Sequence, residues 1–257
     1  MSINLRRALL PALGLLAALS VPAFAAEGEI KIPKQSWSFS GPLGTYDRAA
    51  LQRGFQIYKE VCSACHAMSL VAYRNLTALG FSDAEVKAIA ASVEVQDKEP
   101  NDQGEYVMRQ GRAADHFKAP FANEQAARAA NNGAYPPDLS LITKARVGGS
   151  DYLYALLTGY KPAPAGMTVP DGMYYNDSFL GHLIAMAPPL SDGAVTYADN
   201  TATTVPQLAK DVTTFLTWAA EPEMEERKRL GVKVVLFLLL MTGVIFAWKR
   251  KVWKDLH

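Results

Sequence analysis

Cysteine is almost absent from this sequence. The 257-residue chain contains two, Cys62 and Cys65, and only four histidines. That scarcity excludes a disulfide-stapled scaffold and any second bridge. Internal repeats are missing, and no set of alternating polar and apolar runs reads as strands, so the fold is expected to be mainly helical. An excess of positive charge is missing too. The formal net charge is +1, and the basic residues are unevenly placed. Of 26 Lys and Arg, ten lie in the N-terminal leader or around a C-terminal apolar run, whereas only Asp255 of the 25 acids lies outside residues 26–226. That segment therefore holds 16 basic against 24 acidic residues, a net of −8. Such a surface argues against nucleic acid as partner and suits steering of a basic protein.

Long apolar runs are few, and each has its own flanks. Arg6 and Arg7 precede Ala8 to Leu19, and Ala23-Phe24-Ala25 follows. A basic start, a short apolar core and an A-x-A site predict a signal peptide over residues 1–25. The second run, Leu230 to Trp248, is 19 residues long with Lys233 as its only charge. That is close to the ~20 residues that cross a bilayer core, and Lys233 can snorkel to the interface. Basic residues flank both of its ends, so they do not set orientation; the signal peptide does. The expected organisation is an exported domain over 26–226, a transmembrane anchor over 227–249 and a cytoplasmic tail over 250–257. That exported domain is then periplasmic, and the chain single-pass in the inner membrane.

Four helices are expected in the exported part before the anchor is approached. Thr45 can cap one that runs through Cys62, with Leu51, Phe55, Tyr58 and Cys62 on one face. Ser82 opens a second over 82–92. A third covers Asn123 to Asn131 and is ended by Asn132-Gly133. A fourth covers Ser150 to Thr158 and is stopped by Gly159. Residues 94–120 lack periodicity, and Lys161 to Asn200, with five of the 15 prolines, reads as loop. A further helix starts at Thr204 and Pro206, carries a Leu208, Val212, Phe215, Ala219 stripe, and is interrupted by Pro222.

The two cysteines stand in VCSACHAM, residues 61–68. C-x-x-C-H is the attachment signature of c-type haem. Residues three apart on a helical turn share a face, so both thiols can meet the vinyl groups on one haem edge. His66 then lies under the iron as a ligand. Three other readings compete. A structural zinc needs about four ligands and only three cluster here, with His116 or His182 as a distant fourth. A redox-active dithiol needs no histidine. A disulfide across two intervening residues is strained. The second axial ligand is open on spacing alone: Met108, Met167, Met173, Met186, His116 and His182 are all candidates. Met186 stands out because Pro188-Pro189 stiffen the loop after it.

The segments VCSACHAM, AARAANNGAYPPDLSLITKAR, DYLYALLTGY, GMYYND, IAMAPPLSDG and AKDVTTFLTWAAEPEMEERKRLG occur in an order that resembles the cytochrome c1 family, the haem subunits of the cytochrome bc1 complex. The resemblance covers about Trp37 to Lys254 and is of alphaproteobacterial type. It implies a class I cytochrome c-like head with large loop insertions and one C-terminal transmembrane helix. It implies one covalent haem c on Cys62 and Cys65, with His66 and Met186 as axial ligands. Arg146 and Tyr152 match positions near the haem propionates; Pro136 and Pro137 match the wall of the haem crevice. The implied partners are cytochrome b, a Rieske iron–sulfur protein and a cytochrome c acceptor, in a dimeric complex. Such a subunit relays single electrons and is not an enzyme on its own. The interval EVQDKEPNDQGE, Glu94 to Glu105, carries five acids and one lysine. It is a candidate docking patch for a basic cytochrome c.

Overall fold

The structure is a computed structural model that describes residues 30, 32–97 and 99–254. The predicted signal peptide and residues 255–257 lie outside the described residues. From Ile32 onward the chain builds five helices of a head, α1 (Arg48–Glu60), α2 (Asp83–Ala91), α3 (Glu124–Ala130), α4 (Gly149–Thr158) and α5 (Val205–Ala220). The long α6 (Met224–Val252) follows. Two antiparallel strand pairs, β1 (Glu94–Gln96) with β2 (Met108–Gln110) and β3 (Tyr174–Tyr175) with β4 (Leu183–Ile184), are short. The head is mainly helical, as expected.

The core forms where α1 crosses α5. Gly54 permits the approach: a Cβ there would lie 2.2 Å from the Asp211 carbonyl oxygen and 2.6 Å from the Phe215 Cβ. Around this crossing Phe55 and Tyr58 each bring their rings to 5.8 Å from Phe215. Phe117 joins them at 5.9 Å from Phe55. The expected α5 stripe of Leu208, Val212, Phe215 and Ala219 is buried. Ser150 on α4 bonds Thr217 on α5 at 2.8 Å.

One ion pair lies inside this packing. Arg53 donates from Nε and Nη2 to both oxygens of Asp211, at 2.9 and 3.0 Å, and the Asp211 side chain is 1% exposed. Removing one partner of a buried pair leaves an uncompensated charge. Arg53→Ala is therefore expected to cost ~3–5 kcal/mol, read as a lowered denaturation midpoint of the purified chain, with Arg53→Lys recovering only part of it because the two-pronged contact is lost.

The helix boundaries follow side-chain chemistry. Ser82 caps α2 in a reciprocal box with Glu85, and Asn123 caps α3. At α1 the cap is Asp47, not Thr45: its Oδ1 accepts from Ala49 and Ala50 N–H at 2.9 and 3.2 Å. Thr45 instead bonds back to the Ser38 carbonyl in the preceding loop. The α-helix also ends at Glu60, and Cys62–Ala64 tightens to a 3₁₀ turn. Residues Tyr73–Leu79 form a second 3₁₀ helix that periodicity did not reveal. β1 and β2 fall in the stretch expected to be irregular. Arg109 pins that hairpin by bonding Asp115 at 2.6 and 2.9 Å and Asp97 at 3.2 Å.

Pro222 separates α5 from α6, as expected. The junction is nevertheless tightly tied. Tyr46 donates its hydroxyl to the Glu221 carbonyl at 3.1 Å and its backbone N–H to Glu225 at 2.7 Å. Lys228 bonds the Phe39 and Gly44 carbonyls at 2.6 and 3.1 Å. Glu221 pairs with both Lys144 and Arg227. Beyond this collar α6 exposes an apolar surface from Leu230 to Trp248. Its 29 residues make a rod of roughly 43 Å at the α-helical rise, ample for a bilayer core of roughly 30 Å.

Candidate haem-binding site

The C-x-x-C-H segment is a tight turn closed by its own backbone. Cys65 N–H and His66 N–H both donate to the Cys62 carbonyl, at 3.1 and 2.9 Å. Both cysteines are free. Burial pushes the Cys62 thiol up to about 12, and the neighbouring Cys65 adds to the rise. Burial thus disfavours the thiolate at Cys62. Among the described residues no group of three or more His, Cys, Asp or Glu is placed to hold a metal ion. The zinc reading therefore lacks an assembled ligand set among the described residues.

His66 is oriented by the chain 71 residues further on. Its Nδ1 lies 2.8 Å from the Pro137 carbonyl oxygen. A carbonyl only accepts, so Nδ1 carries the proton and Nε2 keeps its lone pair, with no hydrogen-bond partner among the described residues. Burial lowers the His66 pKa, although the Pro137 carbonyl and Asp138 oppose it. The ring is therefore neutral and presents one free nitrogen, the arrangement a ligating histidine needs. The donor set fits a haem iron on that side.

The segment that supplies Pro137 is zipped to the His66 loop. Leu139 N–H bonds the Ala67 carbonyl at 2.9 Å. Asp138 accepts from Ser69 N–H at 2.9 Å and from Ser140 N–H at 2.8 Å. Ser140 Oγ accepts from Leu70 N–H at 3.1 Å. Burial raises the Asp138 pKa, but these bonds outweigh it and leave it lowered. The crevice position expected for Pro137 thus has a specific atom: its carbonyl oxygen.

Met186 sits in a second group of residues. It follows β4, whose Ile184 is buried and pairs with Tyr174. The Tyr160 hydroxyl donates to the Met186 carbonyl at 3.0 Å. Burial raises the Tyr160 pKa, and nearby Tyr152 raises it further, so the hydroxyl stays a donor. Tyr152 in turn feels Arg146, which offsets part of the rise that burial causes. Arg146 is itself exposed, and among the described residues its side chain bonds only the Ala145 carbonyl, at 3.0 Å. The structure therefore brings Arg146, Tyr152, Tyr160 and Met186 together, and separately Cys62, Cys65, His66 and Pro137. Among the described residues no hydrogen bond or ion pair joins the two groups.

Three of the other ligand candidates have contacts of their own. Met108 is on the β1–β2 hairpin. His116 is tied to the Ser69 carbonyl at 2.6 Å, in the loop after His66. His182 has a left-handed backbone (φ 60°) and stacks on Tyr175 at 5.6 Å. A cleft of about 300 Å³ between Tyr58, Ser63, Tyr73 and Lys118 includes neither His66 nor Met186. Two contributors escaped the sequence. Tyr160 follows the helix stop at Gly159 and could be suspected only as a conspicuous tyrosine. The Pro137 carbonyl has no side-chain signature at all.

Comparison with known proteins shows the family. The sequence model of the Cytochrome C1 family matches residues 37–256. Cytochrome c1 of Rhodospirillum rubrum is 48% identical over 271 residues, covering 99% of each chain. A mitochondrial cytochrome c1 heme protein of Solanum tuberosum is 50% identical over 231 residues, 90% of this chain and 88% of the relative. Cytochrome b/c1 of Bradyrhizobium diazoefficiens is 51% identical over 257 residues; the match takes in 91% of this chain but only 37% of that longer relative. Family match and full-length identity lead to one conclusion: the chain belongs to the cytochrome c1 family, whose members carry one covalently bound haem c.

Proposed function

We propose that this chain is the membrane-anchored electron relay of a quinol–cytochrome c oxidoreductase. It takes single electrons from a Rieske iron–sulfur protein and delivers them to a cytochrome c, seated beside cytochrome b in a dimeric complex. The observation that carries the reading is the His66 ring, fixed by Pro137 with Nε2 free, directly beside two unbridged cysteines. His66 and Met186 would hold a haem there, and a haem so held would supply one-electron transfer with no open position for a bond-making substrate.

The chain's own residues then have distinct tasks. Cys62 and Cys65 provide the thioether links. His66 offers Nε2 in a set orientation, and the zipped 137–140 segment keeps it there. Met186 offers the thioether sulfur. Arg146 and Tyr152, adjacent to Tyr160, are assigned to the propionate edge. Tyr160 holds the Met186 backbone from outside the iron. Its role is positioning, so Tyr160→Phe is expected to cost ~1 kcal/mol of local stability. The reduction potential should move down modestly and slow carbon monoxide uptake should appear. Potentiometry with carbon monoxide titration checks this; Tyr160→Ala should magnify both effects.

The anchor completes the arrangement. The apolar α6 fits a single membrane crossing, and the collar around Tyr46, Glu221 and Lys228 fixes the head against its start. With the signal peptide exported, the haem domain faces the periplasm and the tail after residue 249 the cytoplasm. A rigid anchor keeps the electron carrier at one height above the membrane.

The acidic hairpin supplies a docking surface. Asp97 is engaged by Arg109, but Glu94, Glu99, Asp102 and Glu105 are exposed. Beside them Tyr106, Val107 and Met108 are also exposed, at 58%, 42% and 53%. Acidic groups bordering an apolar strip suit a basic, transient partner. Reversing Glu99 and Asp102 to lysine is expected to slow association with a basic cytochrome c about tenfold at low salt and to flatten the salt dependence. Stopped-flow oxidation of the reduced complex reads both. Unchanged low-salt kinetics would move the docking site elsewhere on the head.

A further inference from the structure

A second pocket, of about 590 Å³, opens where α6 leaves the head. One wall is the loop around Pro42 and Leu43; the other is a single face of α6 with Lys228, Arg229, Val232 and Lys233. Those α6 positions repeat at three- and four-residue spacing and so lie together. The pocket holds one carboxylate, Glu225, and Arg48 already pairs with it at 2.8 Å. Lys228 is bonded only to carbonyls, and Arg229 and Lys233 make no ion pair among the described residues. The walls are otherwise apolar, with Leu43 78% exposed although it belongs to the head. Directly below, Val232, Leu236 and Leu240 form an exposed apolar track four residues apart along α6.

We infer that this pocket seats one anionic phospholipid. The phosphate lies among Lys228, Arg229 and Lys233, and the acyl chains run down the Val232–Leu236–Leu240 track past Leu43. Cations above an apolar track match a lipid with a charged head and apolar tails; a free anion would leave Leu43 and Val232 in water. The inference rests on α6 as a membrane anchor. The bound lipid would fill the wedge between the head and the bilayer surface.

The test uses the complete complex, extracted in mild detergent and titrated with dioleoyl phosphatidylglycerol or dioleoyl phosphatidylcholine under native mass spectrometry. Arg229→Gln with Lys233→Gln should weaken phosphatidylglycerol binding roughly thirtyfold and leave phosphatidylcholine binding unchanged. Equal phosphatidylglycerol affinity in the two proteins would overturn the inference, as would an equal loss for both lipids. A photo-crosslinker in place of Leu43 gives an independent reading. Attachment to lipid supports the proposal; attachment to another protein subunit contradicts it. Alkaline extraction of membranes separates this from the anchor itself: both proteins should stay with the membrane, and release of the unsubstituted chain would overturn the anchor and the lipid seat together.

Discussion

Met186→Leu is expected to convert the proposed closed electron carrier into a haem protein that takes up carbon monoxide. Leucine conserves volume and the apolar character of the site, so the cost in packing is small. What disappears is the sulfur. The β3–β4 pair and the Tyr160 bond to the Met186 carbonyl act on backbone, and leucine keeps both. The loop should therefore stay in place while the proposed ligand is removed. Axial ligands command a range of roughly 0.8 V in haem potential, and thioether ligation lies toward the positive end. The variant should fall by a substantial part of that range and cease to accept electrons from a high-potential donor. Covalently attached haem should remain at the unsubstituted level. An unaltered potential would assign the ligand to another residue, and Met167, Met173 and His182 would be tested next.

Removal of both thiols acts on the opposite side and separates attachment from ligation. With Cys62→Ala and Cys65→Ala together, the chain should carry no haem through denaturing electrophoresis, and haem staining of the band should vanish. Each single variant keeps one link and a reduced stain. The loss should spread beyond the cofactor. Cys62 packs against the buried cluster of α1 and α5, and His66, held by the Pro137 carbonyl, would be left without the iron proposed for it. Lower accumulation of the chain is therefore expected as well. A stained band of normal intensity from the double variant would show that the haem is linked elsewhere.

Several features could be read before any fold was known, because each rests on local chemistry. The helix starts at Ser82, Asn123 and Thr204–Pro206 are short-range signals, and α2, α3 and α5 begin there. The apolar run of α6 is a matter of length and composition. C-x-x-C-H names its own cofactor. The features that were missed depend on contacts between distant segments. Asp47 displaces Thr45 as cap because Thr45 is drawn into a turn with Ser38. β1 and β2 are three residues each, too short for alternation to show. Pro137 and Tyr160 act on or through backbone carbonyls, 71 and 26 residues away from their partners, and a carbonyl looks the same in every residue. Arg146 and Tyr152 needed the family resemblance. The structure places them beside Tyr160, which spacing alone does not indicate.

The same distinction orders the expected effects. Arg53→Ala strikes the core and lowers stability without touching the ligands. Tyr160→Phe loosens one ligand and leaves the core intact. A variant set that reversed this order would show that the head's stability and the ligand geometry are not independent.

One measurement bears most directly on the central claim, an iron held on both sides by His66 and Met186. The purified, unsubstituted chain is reduced with dithionite and exposed to saturating carbon monoxide while its absorption spectrum is recorded. A closed six-coordinate site predicts a spectrum unchanged over minutes, with Met186→Leu shifting at once under the same conditions. Rapid carbon monoxide binding by the unsubstituted chain would contradict the account.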